Sequence, residues 1–150
     1  MIRFLSSFAA LILMAGCATT EQQGSQASPQ PPKLGACVAA IKSIDLIALE
    51  VPSSKNSISN KMAAAAVKMG GSSTVDTLVK FLSQPKRPAL AVVGESDELT
   101  AATLLAALSK LDSVPGRSRS PVCFVGDASY AGQLKPVAES VGLTLFVVPR

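Results

Sequence analysis

Three short apolar runs in the second half of the chain constrain its fold more than any other feature. Each is closed by a glycine or a proline, and they span residues 89–93, 122–125 and 143–148. Apolar runs of this length without alternation are typical of strands buried on both faces of a parallel sheet. Helical patterns separate them, so residues 88–148 predict a parallel β-α-β-α-β unit with right-handed crossovers. The fold class expected is a small three-layer α/β domain.

The two segments between these runs are predicted helices. Residues 97–111 form an amphipathic pattern whose polar stripe is Thr100, Thr103 and Lys110. The second pattern covers residues 130–141 and ends at a glycine. We expect Pro136 to kink that helix or divide it in two.

Further helices are predicted upstream of this unit. Apolar side chains repeat at helical spacing in two segments, whose stripes are Ile58, Met62, Ala65, Ala66 and Met69, and Val75, Leu78, Val79 and Leu82. Gly70 and Gly71 supply a stop for the first. Residues 37–51 also fit a helical stripe, but residues 44–51 are rich in β-formers, so an edge strand there is the alternative.

Composition excludes several classes of function. The chain has no histidine, so it cannot by itself carry a serine–histidine or cysteine–histidine hydrolase mechanism, or a zinc site built on histidine. Its formal charge of +4 is scattered, and with one Tyr and no Trp it offers little for bases to stack on. We expect no nucleic-acid partner. No motif for a cofactor is present.

The N-terminus carries an export pattern. Arg3 precedes an apolar run that is too short to cross a bilayer, and Ala15 and Gly16 stand directly before Cys17. This order resembles the signal peptide of bacterial lipoproteins, with Met14 where such signals usually carry Leu; an ordinary secretory signal is the alternative. The resemblance implies cleavage before Cys17, which becomes lipidated. An acidic residue directly after the lipidated cysteine commonly retains lipoproteins at the inner membrane. This sequence has Ala18 there, so the resemblance implies an outer-membrane anchor.

The resemblance divides the chain into a signal peptide at 1–16, a lipidated cysteine with a tether at 17–33, and one α/β domain at 34–150. Residues 18–33 hold no large apolar side chain and are rich in Gln, Ser, Thr and Pro. Such a segment is expected to be disordered. As a flexible coil it would reach roughly 20–25 Å from the membrane.

Two cysteines remain after lipidation, Cys37 and Cys123. In an oxidising compartment paired cysteines usually form a disulfide, which here would tie the start of the domain to its middle. The alternative is two separate buried thiols.

The candidate ligand site lies in the two turns that follow the first and second strands of the unit. These turns resemble each other, and their polar residues are Glu95, Ser96, Asp97, Asp127 and Ser129. Ligands of open parallel sheets bind beyond the carboxyl ends of the strands, so three carboxylates could converge there on Mg²⁺ or Ca²⁺. The alternative is that Ser96 and Asp127 only cap helices and that the acids favour the positive helix ends.

Two other features have a functional and a structural interpretation. Arg117 and Arg119 lie in a predicted loop at 112–121, where they either contact an anionic partner or are simply solvated. Ala63–Ala66 would allow another helix to approach closely, either inside the domain or from a partner.

The function expected is that of a non-catalytic outer-membrane lipoprotein, an accessory subunit of a cell-envelope assembly of the secretion, pilus, conjugation or polysaccharide-export type. Its partners would be the membrane, through the anchor, and another envelope protein. This role predicts an uncovered apolar patch on the helices at 58–83. The first alternative is a periplasmic domain that binds a small ligand or a divalent metal at the turns. A second, weaker alternative is a hydrolase that uses the same acidic residues.

Overall fold

A computed structural model describes residues 31–111 and 120–150, with side chains from Leu34 onward. The predicted signal peptide, Cys17, most of the predicted tether, and the predicted loop with Arg117 and Arg119 lie outside the described residues.

The described residues form a four-stranded sheet and five α-helices, which confirms the predicted α/β class. In chain order they are α1 Pro31–Ile41, β1 Leu46–Val51, α2 Ser57–Gly70, α3 Ser73–Leu82, β2 Ala89–Gly94, α4 Asp97–Ser109, β3 Val122–Val125, a 3₁₀ turn Ala128–Tyr130, α5 Ala131–Ser140 and β4 Leu145–Val148. All neighbouring strands are parallel, in the order β1-β2-β3-β4.

The segment that admitted two predictions is divided between a helix and a strand. α1 ends at Ile41, and β1 pairs along its whole length with β2, from Leu46 opposite Ala89 to Val51 opposite Gly94. α1 begins at Pro31, three residues before the predicted start of the domain. Proline is compatible with the first turn of a helix, because the backbone nitrogens there have no acceptor within the helix.

The two faces of the sheet are covered differently. On one face α2, α3, α4 and α5 build the larger core, whose biggest side chains include Phe124, Leu78 and Leu104. On the other face α1 is the only described helix, and it packs over β2, β3 and β4 in a small cluster that includes Val93 and Val125. The domain therefore has three layers, and one outer layer is a single short helix.

The predicted polar stripe of α4 is wrong at two of its three positions. Thr100 and Thr103 are buried, and their hydroxyls donate to the carbonyls of Ser96 and Leu99, both at 2.7 Å. A threonine can be buried on a helix when its hydroxyl bonds back to the preceding turn. α4 is enclosed because it packs against α2, α3, α5 and the sheet, so only Lys110 of the stripe reaches solvent.

The structure joins Cys37 of α1 to Cys123 of β3 in a disulfide, with their Cα atoms 5.8 Å apart. This confirms the predicted crosslink between the start of the domain and its middle. Both cysteines are fully buried in the cluster beneath α1. The bond therefore fastens the single covering helix to the centre of the sheet.

Glycines end two of the helices, and one proline lies inside a helix. Gly71 and Gly142 have φ values of 85° and 77° and end α2 and α5 as predicted, since that backbone conformation favours glycine. α5 runs through Pro136 without division. Every helix among the described residues is too short or too polar to span a bilayer.

Candidate functional site

The two predicted turns lie side by side at the carboxyl ends of β2 and β3. A Cβ atom added at Gly94 would clash with the Thr100 hydroxyl and lie 3.0 Å from the Val51 carbonyl oxygen. At Gly126 it would meet the ring of Phe124 at 2.7 Å. Both glycines therefore allow close packing within the domain, which explains them without a ligand.

Ser96 and Asp127 act as helix caps. The Ser96 hydroxyl accepts from the backbone N–H of Leu99 at the start of α4, at 3.4 Å. The Asp127 carboxylate accepts from the backbone N–H of Ser129 at 2.7 Å. This bond, and a second from the Ser129 hydroxyl, lower the pKa of Asp127 because they favour its charged form.

Asp97 ties three segments together. One of its carboxylate oxygens accepts from the backbone N–H of Asp127 at 3.2 Å, and the other is paired with the guanidinium of Arg150. Arg150 also donates to the carbonyl oxygen of Glu95 at 2.7 Å. Sequence reasoning missed Arg150, since it lies 53 positions from Asp97 and no local pattern marks it. Its positive charge offsets the negative charge of the Asp97 carboxylate.

Four of the five predicted site residues line two shallow depressions, and Ser129 lines neither of them. Asp97 and Asp127 line one, together with Arg150. Glu95 and Ser96 line the other, which opens toward the start of α2. Within residues 31–111 and 120–150, no three acidic or cysteine side chains form a group that could hold a metal ion.

Tyr130 adds a polar group beside these turns. Its ring meets that of Phe124 edge to face, with centroids 6.1 Å apart. Burial raises the pKa of Tyr130, and the nearby charges of Glu98, Asp97 and Asp127 raise it further. Tyr130 therefore keeps its phenol proton to a higher pH than a fully exposed tyrosine does.

The order of the strands also bears on ligand binding. Ligands of open α/β sheets usually lie where the strand order reverses and neighbouring crossovers pass to opposite faces. In the described sheet the order runs from β1 to β4 without reversal, and the crossover helices α2 to α5 pack on one face. The carboxyl end of this sheet therefore has no such crevice.

The most unusual surface of the domain is on α2. This helix buries Ala64 and Val67. The opposite side carries the predicted apolar stripe, which is exposed to solvent; we call it the α2 outer face, and it consists of Ile58, Met62, Ala65, Ala66 and Met69. Met62 and Met69 are 69% and 89% exposed. The repeat that predicted the helix thus marks its solvent side.

The alanine run of α2 serves both sides of the helix. Ala64 is buried and Ala63 packs against the core, whereas Ala65 and Ala66 remain exposed. The first two allow α2 to lie close to α4. Ala65 and Ala66 leave a low surface between the bulky side chains of Met62 and Met69. Small side chains at such a position leave room for another helix to approach.

A groove of about 300 Å³ adjoins this face at the end of α2. Leu105 and Ala106 of α4 are among its apolar lining residues, and Lys68 and Lys110 line it as well. The sequence of α2 contains two lysines, Lys61 and Lys68, and no acid. The apolar surface is therefore flanked by positive charge.

Comparison of the chain with models of known protein families, with curated proteins and with solved structures finds no match.

Proposed function

We propose that this protein is a non-catalytic lipoprotein of the bacterial outer membrane, and that its domain docks onto another envelope protein through the α2 outer face. The observation that carries the proposal is the exposure of Ile58, Met62 and Met69 along one helix. A contiguous apolar surface on a soluble domain is most economically explained by a partner that covers it.

The chemistry of the turns agrees with a non-catalytic role. The Asp97 carboxylate is engaged by Arg150 and by a backbone N–H, and Asp127 is engaged by Ser129. The Ser129 hydroxyl bonds to the Asp127 carboxylate, but the lowered pKa of that carboxyl makes it a weak general base. The accessory role, the anchor at Cys17 and the outer-membrane location come from the sequence pattern.

The adjoining groove suggests how the partner would bind. An apolar side chain could enter between α2 and α4 beside Leu105, while a carboxylate of the partner approaches Lys68 at the groove and another approaches Lys61 farther along α2. Lys110 also lines the groove but is paired with Asp76 at 3.4 Å. An amphipathic helix with an acidic flank has this combination of groups.

The test is site-specific photocrosslinking in intact cells. A photoreactive residue at Met62 should link the full-length protein to one envelope protein at near-stoichiometric yield, and Ile58→Glu should abolish that product. Gln133, exposed on α5, is the matched control position and should give none. Crosslinks that are equal at both positions, or absent at Met62, would overturn the docking proposal. The mass of the mature N-terminus, measured separately, tests acylation of Cys17.

A further inference from the structure

The two edges of the described sheet are protected to different degrees. Each edge strand is followed directly by a proline, Pro149 after β4 and Pro52 after the longer strand β1. β4 has only four residues and packs against both α1 and α5. β1 has six residues and packs mainly against β2 and α4. Edge strands in monomeric domains are usually short, covered, or interrupted by proline or lysine. β4 follows this rule, and β1 does not.

The outer side of β1 has free hydrogen-bonding groups. The backbone N–H of Ala89 donates to the carbonyl oxygen of Asp45 at 3.0 Å. From Asp45 onward, the backbone N–H and C=O groups of every second residue therefore face β2. The N–H and C=O groups of Ala48 and Glu50 therefore face away from the sheet. In the part of the chain that the structure describes, no residue pairs with them.

The side chains along this edge are apolar. Ile44 is 95% exposed and Ile47 is 44% exposed, and they are the large hydrophobic residues that stay exposed outside α2 within the described ranges. Residues 46–51 contain no lysine and no proline, and their single charge is Glu50. A strand with these properties is a template for pairing with another strand.

We propose that β1 pairs with β1 of a second copy of this chain, antiparallel and about a two-fold axis at Ala48. The N–H groups of Ala48 and Glu50 then donate to carbonyls of the second copy, and the two sheets become continuous. In this register Ile47 lies opposite Leu49, and Glu50 lies opposite Leu46.

The edge is complementary to itself, which is why a second copy is the occupant. Partly exposed apolar side chains meet across the axis, and the two Glu50 carboxylates lie at opposite ends of the paired segment, roughly 13 Å apart. The chain's own residues 18–30 are a poor alternative, because they contain no large apolar side chain to cover Ile47.

The experiment measures the mass of the full-length protein in detergent by sedimentation velocity. We expect a dimer, and we expect Ala48→Pro and Ile47→Lys each to convert it to a monomer. The proline removes an N–H that faces away from β2, so the ladder with β2 stays intact. Ile58→Lys, on the α2 outer face, is the control and should leave the dimer unchanged.

Circular dichroism and Tm confirm that each variant is folded; if Ala48→Pro fails to fold, Ile47→Lys decides alone. A monomeric wild-type protein overturns the proposal, as does a dimer that survives these substitutions. In cells, a photoreactive residue at Ile47 should give a product of twice the chain mass. The docking test uses Met62, so the two proposals can fail separately.

Discussion

The two faces of the sheet are stabilised in different ways. One face carries four helices and the larger core, in which α4 is enclosed on nearly all sides. The other carries one helix of eleven residues, a small cluster, and a disulfide that joins this helix to β3. On the α1 face a covalent bond supplies the stabilisation that additional apolar burial supplies on the opposite face. The comparison predicts that the two faces respond differently to matched changes.

The largest expected effect is the loss of the disulfide. Cys37→Ala with Cys123→Ala should lower the free energy of unfolding by about 4 kcal/mol, because the bond closes a loop between residues 86 positions apart. Urea denaturation measures the total loss in the free energy of unfolding. Hydrogen exchange should then show that the α1 amides lose protection. The α4 amides should stay more protected than those of α1. Equal loss in α1 and α4 would mean that the α1 face is not the weaker one.

A matched pair of valines on β2 compares the faces directly. Val92 belongs to the four-helix core and Val93 to the cluster under α1, and both are buried. Val92→Ala should cost about 2 kcal/mol and Val93→Ala about 1 kcal/mol, since a cavity under a single helix collapses more easily. Both values come from chemical denaturation. Equal losses would show that α1 packs as firmly as the other layer.

The ties at the carboxyl end of the sheet should matter less than either core. Asp97→Asn weakens the pair with Arg150, a partly exposed interaction, and should cost about 1 kcal/mol. Glu95→Gln is the control, because the contact of Arg150 is with the Glu95 backbone carbonyl and not with its side chain. We expect Mg²⁺ and Ca²⁺ to leave Tm unchanged in both variants and in the wild type. A metal-dependent rise in Tm that Asp127→Asn removes would favour the ligand-binding alternative over the docking proposal.

The smallest effect is the pH dependence at the same turns. The pKa of Asp127 is lowered in the folded state, so its contribution to stability is present above the ordinary pKa of 3.8 and is lost as the pH falls below it. Tm measured from pH 5 downward should fall less steeply in Asp127→Asn than in the wild type. Tyr130 has the opposite sign, because its raised pKa makes stability fall as the pH rises above 10. An unchanged acid slope in Asp127→Asn would exclude the Asp127 contribution.

Much of the fold was predictable because its signals are local. The buried strands β2 and β3, the glycine that ends α5, and the buried stripe of α3 follow from side-chain patterns within about ten residues. The caps at Ser96 and Asp127 were predicted for the same reason, since a cap bonds to a backbone group only two or three positions away.

Predictions that required knowledge of the neighbours were less secure. The polarity of Thr100 and Thr103 suggested an exposed stripe, but helices on both sides of α4 enclose them. Arg87 is also buried, where its guanidinium donates to the Ser120 carbonyl at 2.7 Å and burial lowers its pKa. Such pairs join residues far apart in the chain, and no local pattern reveals them.

Local patterning thus determined the class of the domain and the places of most of its helices and strands, and composition excluded histidine chemistry. The export signal is a proposal that rests on the N-terminal pattern alone. Long-range packing decided which side of α2 faces solvent, how Cys37 reaches Cys123, and that Arg150 holds Asp97. The physical reason is that periodicity reports which residues share a side of a helix or strand. Whether that side meets the core, solvent or a partner depends on elements distant in sequence, and their arrangement exists only in the folded chain.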